Sequence, residues 1–162
     1  MFKFLKKKEK IYHDVIGAPV KGETIPSAEV NDPTFSKEIL GKGIAIKPME
    51  GKVYAPFDGE VAMVFETKHA VTLISEKGTE LLIHVGLDTV MLKGKYFKVY
   101  VESRTTVKKG DLILEFDMDA IKKAGYELII PVVICNTDDY KEIICKIVKL
   151  VEAGETVMEL KK

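Results

Sequence analysis

Only two cysteines occur in the 162 residues, Cys135 and Cys145, which excludes a disulfide framework as the source of stability. Both lie in apolar surroundings, which predicts two small buried hydrophobes in a protein of the reducing cytoplasm, with a regulatory disulfide as the lesser alternative. Net charge is also missing, since 25 Lys and Arg balance 25 Asp and Glu. That argues against bulk binding of nucleic acid, where a basic patch supplies the affinity, but leaves room for local charge at a docking surface. No apolar run approaches the ~18 residues of a transmembrane helix. The first ten residues carry lysines without the apolar core of a signal peptide. Familiar catalytic signatures are absent too: no Gly-x-Ser-x-Gly elbow, no phosphate-cradling Gly-x-x-x-x-Gly-Lys-Ser/Thr loop, no His-Glu-x-x-His and no Cys-x-x-Cys. Histidine itself is scarce, with three in the chain, His13, His69 and His84.

What is present is enough for one domain with a substantial core, at 46% hydrophobic and 31% charged residues. Residues 1–12 read as a flexible basic tail and 13–162 as a single domain. Met1, Phe2, Phe4 and Leu5 fall on one side of a short helix with most lysines opposite, a pattern suited to weak membrane-surface contact; a solvated tail fits as well. Beyond it the chain is a succession of short β-rich runs punctuated by Gly and Pro. Ala18-Pro19-Val20-Lys21-Gly22-Glu23 is echoed by Ala55-Pro56-Phe57-Asp58-Gly59-Glu60. Val107-Lys108-Lys109-Gly110-Asp111 is echoed by Val151-Glu152-Ala153-Gly154-Glu155. These echoes indicate a duplicated β motif rather than a solenoid period. Asp117 to Gly125 reads as a short helix with an acidic cap, terminal lysines and a Gly stop. Leu128 to Cys135 is an apolar strand in which Pro131 indicates an edge or a bulge. Residues 137–151 fit either helix or strand. The sum is an all-β sandwich or barrel with one or two short helices.

Two of the histidines fall in one apparent hairpin, 69–75 and 80–86, around Lys77-Gly78. With those two as central turn residues, 71 faces 84 and 69 faces 86. His69, Val71, Leu73, Leu82 and His84 then share a face, and a slip of one residue would separate the imidazoles. Two imidazoles on an apolar face can share a metal, relay a proton or carry a phosphoryl group, and a satisfied structural histidine is the plain alternative. As a metal site, His69 and His84 supply two ligands where structural zinc takes four, so zinc would need a partner's ligand. His13, near the tail, reads as a surface or structural residue.

Six segments carry a resemblance: Gly-Lys-Gly-Ile-Ala-Ile-Lys-Pro (41–48), Tyr-Ala-Pro-Phe-Asp-Gly (54–59), Phe-Glu-Thr-Lys-His-Ala (65–70), Glu-Leu-Leu-Ile-His-Val-Gly-Leu-Asp-Thr-Val (80–90), Leu-Lys-Gly (92–94) and Pro-Val-Val-Ile-Cys-Asn (131–136). In this order, across roughly residues 15–162, the chain resembles the glucose-class enzyme IIA component of the bacterial phosphoenolpyruvate-dependent sugar phosphotransferase system. The resemblance implies a flattened antiparallel β-sandwich. It implies that His84 takes a phosphoryl group on Nε2 from the phosphocarrier HPr and passes it to a cysteine of a sugar-specific IIB or IICB permease. His69 would be the supporting imidazole and Thr67 a hydroxyl of the same network. Asp32 and Asp88 match acids that rim the docking face. Phe35, Ile39, Leu40, Phe65, Leu82, Val85 and Val90 match its apolar ring, and Pro33 and Thr34 occupy ring positions that are apolar in better-known members. No cofactor beyond the covalent phosphate is implied. Regulatory target proteins are possible further partners of the same face, switched by phosphorylation. The Met1 start and the lack of a linker suggest a free-standing cytoplasmic protein served by a separate membrane permease.

Overall fold

Alternating apolar residues over short runs favour strands, and the computed structural model, which describes residues 12–162, is almost wholly antiparallel β. The tail expected over residues 1–12 lies, apart from Tyr12, outside the described residues. Thirteen strands follow in order: β1 (Asp14–Gly17), β2 (Gly22–Pro26), β3 (Lys42–Pro48), β4 (Lys52–Tyr54), β5 (Gly59–Val64), β6 (Ala70–Ser75), β7 (Glu80–His84), β8 (Phe97–Val99), β9 (Thr106–Val107), β10 (Leu112–Phe116), β11 (Ile130–Ile134), β12 (Glu142–Cys145) and β13 (Thr156–Lys161). They form one seven-stranded sheet, ordered β2-β3-β11-β7-β6-β5-β9, and two three-stranded sheets, β1-β13-β12 and β4-β10-β8. Two short helices complete the described fold, α1 (Pro33–Ser36) and α2 (Met118–Lys123). Asp32 caps α1 by accepting from the Thr34 N–H at 3.0 Å, with Pro33 at the first helical position, where no N–H is needed. Asp117 caps α2 through the Ala120 N–H.

The central strands of the large sheet, β3, β11 and β7, are buried on both faces, and the period of two sorts the side chains. Ile44, Ile46, Val71, Leu73, Leu81, Ile83, Val132 and Ile134 enter the main core. Their neighbours Ala45, Ala70, Leu82 and Val133 enter a smaller cluster with Ile25, Val30, Phe35 and Leu87. The second cluster underlies the histidines.

The sequence echoes are structural partners. Ala18 exchanges backbone bonds with Gly154 and Glu155 (2.8 and 2.7 Å), and Ala55 does the same with Gly110 and Asp111 (2.9 and 2.8 Å). The two copies also meet directly, through Gly17 N–H to Pro56 O at 3.0 Å and Tyr54 N–H to Pro19 O at 2.7 Å.

Three sequence expectations are corrected here, and one open alternative is resolved. The β6–β7 loop has three residues, Glu76, Lys77 and Gly78, closed by Gly78 N–H to Ser75 O and Ser75 N–H to Thr79 O, both 2.9 Å. A two-residue primed turn would require positive φ at Lys77; the longer loop confines it to Gly78, at 96°. The register therefore moves by one, pairing Ala70 with His84 and Val71 with Ile83. Second, Pro131 lies in a central strand, not at an edge. Cys135 N–H donates to Glu80 O at 2.8 Å, and donors alternate sides along a strand, so the missing N–H of Pro131 faces the last residue of β7. The ladder loses a single bond at its end. Third, Cys135 is exposed and Cys145 half-buried, both free. Cys135 follows the end of β11, where the chain leaves the sheet, and Cys145 lies on the edge strand β12. The open choice over residues 137–151 resolves as strand at β12 (Glu142–Cys145), after a 3-10 turn at Thr137–Asp139.

Candidate functional site

The corrected register, extended regularly, would put His69 and His84 on opposite faces. Their rings nevertheless meet, with centroids 4.8 Å apart and planes at 86°. β6 begins only at Ala70, and the residue before His69, Lys68, has φ 62°. The left-handed turn breaks the alternation and brings the His69 ring over to the His84 side. Val85 N–H to His69 O, at 2.7 Å, ties the two segments at this point.

Each ring is held at Nδ1. Thr67 Oγ1 lies 2.8 Å from His69 Nδ1, and the hydroxyl can act as donor or acceptor. The partner of His84 Nδ1 is Gly86 O, at 2.8 Å. A carbonyl only accepts, so His84 Nδ1 carries the proton, and neutral His84 keeps a bare lone pair on Nε2. Gly86 makes this possible by its φ of 84°. It gives its N–H to Ile129 O at 2.8 Å while its carbonyl turns to the imidazole. A side chain here would meet Thr89 Cγ2 at 2.5 Å, so the position requires glycine on both counts.

Both imidazoles are biased towards the neutral form. Burial and then the adjacent His84 push His69 down to about 4, against an upward pull from a hydrogen bond at the Thr67 backbone. Burial also lowers His84, opposed by the Gly86 hydrogen bond and by the charges of Asp32 and Asp88. The aromatic neighbours are apolar: Phe35 lies 5.1 Å from the His84 ring and Phe65 lies 5.6 Å from His69, edge-on.

His84 opens onto a shallow depression of about 260 Å³, lined by Asp32, Thr34, Phe35, Leu40, Phe65, Leu82, Asp88 and Val90. His69 is only 3% exposed and sits behind it. Nine of the residues named from sequence, His84 and Thr34 among them, are thus gathered at one surface, with His69 behind them and half-buried Thr67 against His69. Ile39 stands beside the depression, exposed, without lining it. Val85 does not belong: it is fully buried in the main core, because alternation after His84 turns it to the other face. Among the described residues, no group of three His, Cys, Asp or Glu side chains is placed to hold a metal, and no Lys or Arg lines the depression.

The chain and its fold have known counterparts. The family model described as phosphoenolpyruvate-dependent sugar phosphotransferase system, EIIA 1, matches residues 14–140. The chain belongs to that family. It is 44% identical over 159 residues to the glucose-specific EIIA component of Oceanobacillus iheyensis, covering 96% of this chain and 95% of that protein. It is 49% identical over 128 residues to the β-glucoside-specific EIIBCA component of Dickeya chrysanthemi, covering 79% of this chain but 20% of the relative. The chain thus spans about a fifth of that relative, and about a quarter of its counterpart in Bacillus subtilis, where the match covers 24%. Among solved structures, the glucose permease IIA from Mycoplasma capricolum superposes with a TM-score of 0.84 at 33% identity, covering 90% of this chain and 94% of that one.

EIIA proteins are phosphoryl carriers of the sugar phosphotransferase system. Two supports of the imidazole pair were not singled out from sequence. Gly86 holds the His84 ring, and Thr89, fully buried, donates to Val85 O. The available signal was a glycine two residues after a histidine at the end of a strand. No helix among the described residues is long and apolar enough to cross a membrane.

Proposed function

We propose that His84 is the phosphoryl-accepting residue of this EIIA protein. The Nε2 lone pair attacks the phosphorus of phosphorylated HPr, and the bond from phosphorus to the HPr nitrogen breaks. The group then leaves Nε2 for the thiolate of a cysteine on a IIB or IICB permease component. The observation that supports this most is the bond from Nδ1–H to Gly86 O, which fixes the tautomer with a nucleophilic Nε2. His69 assists when Thr67 donates its hydroxyl proton to Nδ1, since His69 Nε2 then carries a hydrogen for a phosphoryl oxygen. Such transfer needs positioning and charge stabilisation more than covalent help.

The surroundings favour relay over storage. The apolar lining limits hydrolysis by water. Asp32 and Asp88 lie near an incoming dianion and disfavour retaining it, so the compensating positive charge must arrive with the partner. Relatives that carry B and C components in one chain with the A component favour a IIB or IICB acceptor.

The test is incubation of the protein with phosphoenolpyruvate, enzyme I and HPr, read by intact mass and acid lability. One acid-labile phosphate is expected, absent in His84→Ala. His69→Ala should accept some phosphate but pass it on poorly. Full labelling of the His84→Ala protein would overturn the assignment.

A regulatory role at the same face is favoured by its composition. A doubly charged group on His84 would stand in an apolar depression already bordered by two carboxylates, which disfavours docking of any target that binds the unphosphorylated surface. Equal capture of partners by both forms would count against this switch.

A further inference from the structure

Fixing the reactive tautomer of His84 requires that the Gly86 carbonyl be aimed, and the peptide before it is gripped at both ends. The carbonyl of that peptide, Val85 O, accepts from Thr89 Oγ1. Its N–H, on Gly86, donates to Ile129 O at 2.8 Å. With the 85–86 peptide plane pinned, only the torsions of Gly86 decide where its own carbonyl points. Thr89 acts there a second time: its Cγ2, Oγ1 and Cβ lie 2.5, 3.2 and 3.4 Å from where a Gly86 Cβ would be, so its side chain packs against the Gly86 α-carbon. Thr89 is wholly buried in the 3-10 turn Thr89–Leu92, entered through Asp88 at φ 60°. It makes no hydrogen bond to either imidazole.

We infer that Thr89 is a positioning residue for the phosphoryl relay, acting through the Val85 and Gly86 peptides to hold the His84 ring with its proton on Nδ1 and its lone pair on Nε2. The functional consequence rests on His84 being the acceptor, but the tautomeric consequence does not. Without the hydroxyl, the 85–86 peptide loses one of its two anchors and the Gly86 carbonyl is free to rotate from the ring. Nδ1–H then loses its committed acceptor, and neutral His84 redistributes towards the tautomer protonated on Nε2, which has no lone pair there for phosphorus.

The experiment uses the full chain labelled with 15N. Long-range proton–nitrogen spectra of the imidazoles report the tautomer directly, and the rate of phosphate uptake from phosphorylated HPr is measured on the same samples. Thr89→Val keeps the shape and removes the hydroxyl; Thr89→Ala removes it without a branched side chain and serves if the valine variant does not fold; Thr89→Ser keeps the hydroxyl. Loss of one such hydrogen bond predicts about a tenfold shift of the His84 tautomer ratio towards Nε2–H in the valine or alanine variant, with a comparable fall in uptake rate, and near-normal values in the serine variant. A His84 that keeps its proton on Nδ1 in the valine and alanine variants overturns the inference, as does a serine variant as impaired as the others. If His84→Ala still accepts phosphate, the functional assignment fails, while the tautomer measurement continues to decide the role of Thr89.

Discussion

Acidification should destabilise the protein through His69, by an amount the structure sets. The ring is 3% exposed, and burial with the neighbouring His84 lowers its pKa from 6.5 to about 4. Between those pH values the unfolded chain binds a proton at this residue and the folded chain does not. Stability is therefore full above pH 6.5 and is lost as pH falls towards 4. Each tenfold difference in proton affinity is worth ~1.36 kcal/mol, so the loss between pH 7 and pH 4 is about 3 kcal/mol, a large share of a domain's stability. Urea unfolding of wild type and His69→Asn across this range isolates the contribution. Asn can still meet Thr67 but does not titrate, and carboxylates and His84 act in both proteins. Wild type should lose about 3 kcal/mol more than the variant, and the His69 ring should titrate near pH 4 by NMR. Parallel stability curves, or a ring midpoint near 6.5, would refute the reasoning.

Gly86→Ala meets both a left-handed φ and a contact with Thr89 at 2.5 Å; it should cost roughly 1–3 kcal/mol in thermal or urea unfolding and slow phosphate uptake. Asp88→Lys places a cation beside the depression, so it should lower the on-rate of a basic partner such as HPr and flatten its salt dependence in stopped-flow measurements; an unchanged rate at low salt would remove Asp88 from the docking face. Zinc should bind only weakly to the protein alone, which offers two imidazoles, and more tightly where a partner adds a ligand; titration calorimetry with and without IIB checks this, and tight binding without a partner would contradict the two-ligand reading.

Strands were readable where apolar runs stand between turn residues, as at Leu128 to Cys135, where the structure has β11 (Ile130–Ile134). The duplicated motif was readable because its Ala-Pro and Gly-Glu pairs repeat in sequence, although their mutual hydrogen bonds were not. The histidine hairpin shows the limit of such reading. Counting Lys77-Gly78 as a two-residue turn misplaced the register, and assuming unbroken alternation at His69 compensated for it, so the rings were expected together on wrong grounds. Neither the backbone torsion of Lys68 nor the third loop residue has an unambiguous sequence signal. Pro131 and Val85 misled for a related reason: one missing donor, or one step of alternation, depends on which neighbour the strand faces. Both cysteines were misjudged because local apolarity does not reveal where a sheet ends.

The duplicated backbone has one further consequence. Strand pairings in the large sheet relate β3 to β6 and β11 to β7 about an approximate two-fold axis through the Val132–Ile83 pair. Under this exchange His84 corresponds to Val133, His69 to Lys42 and Gly86 to Cys135. One molecule therefore contains two closely similar scaffolds, of which one bears the imidazoles and the other none. The half without imidazoles is an internal control written into the chain: equivalent substitutions in the two halves perturb comparable strands, so an excess effect in the half with the imidazoles reports on the imidazole site apart from folding.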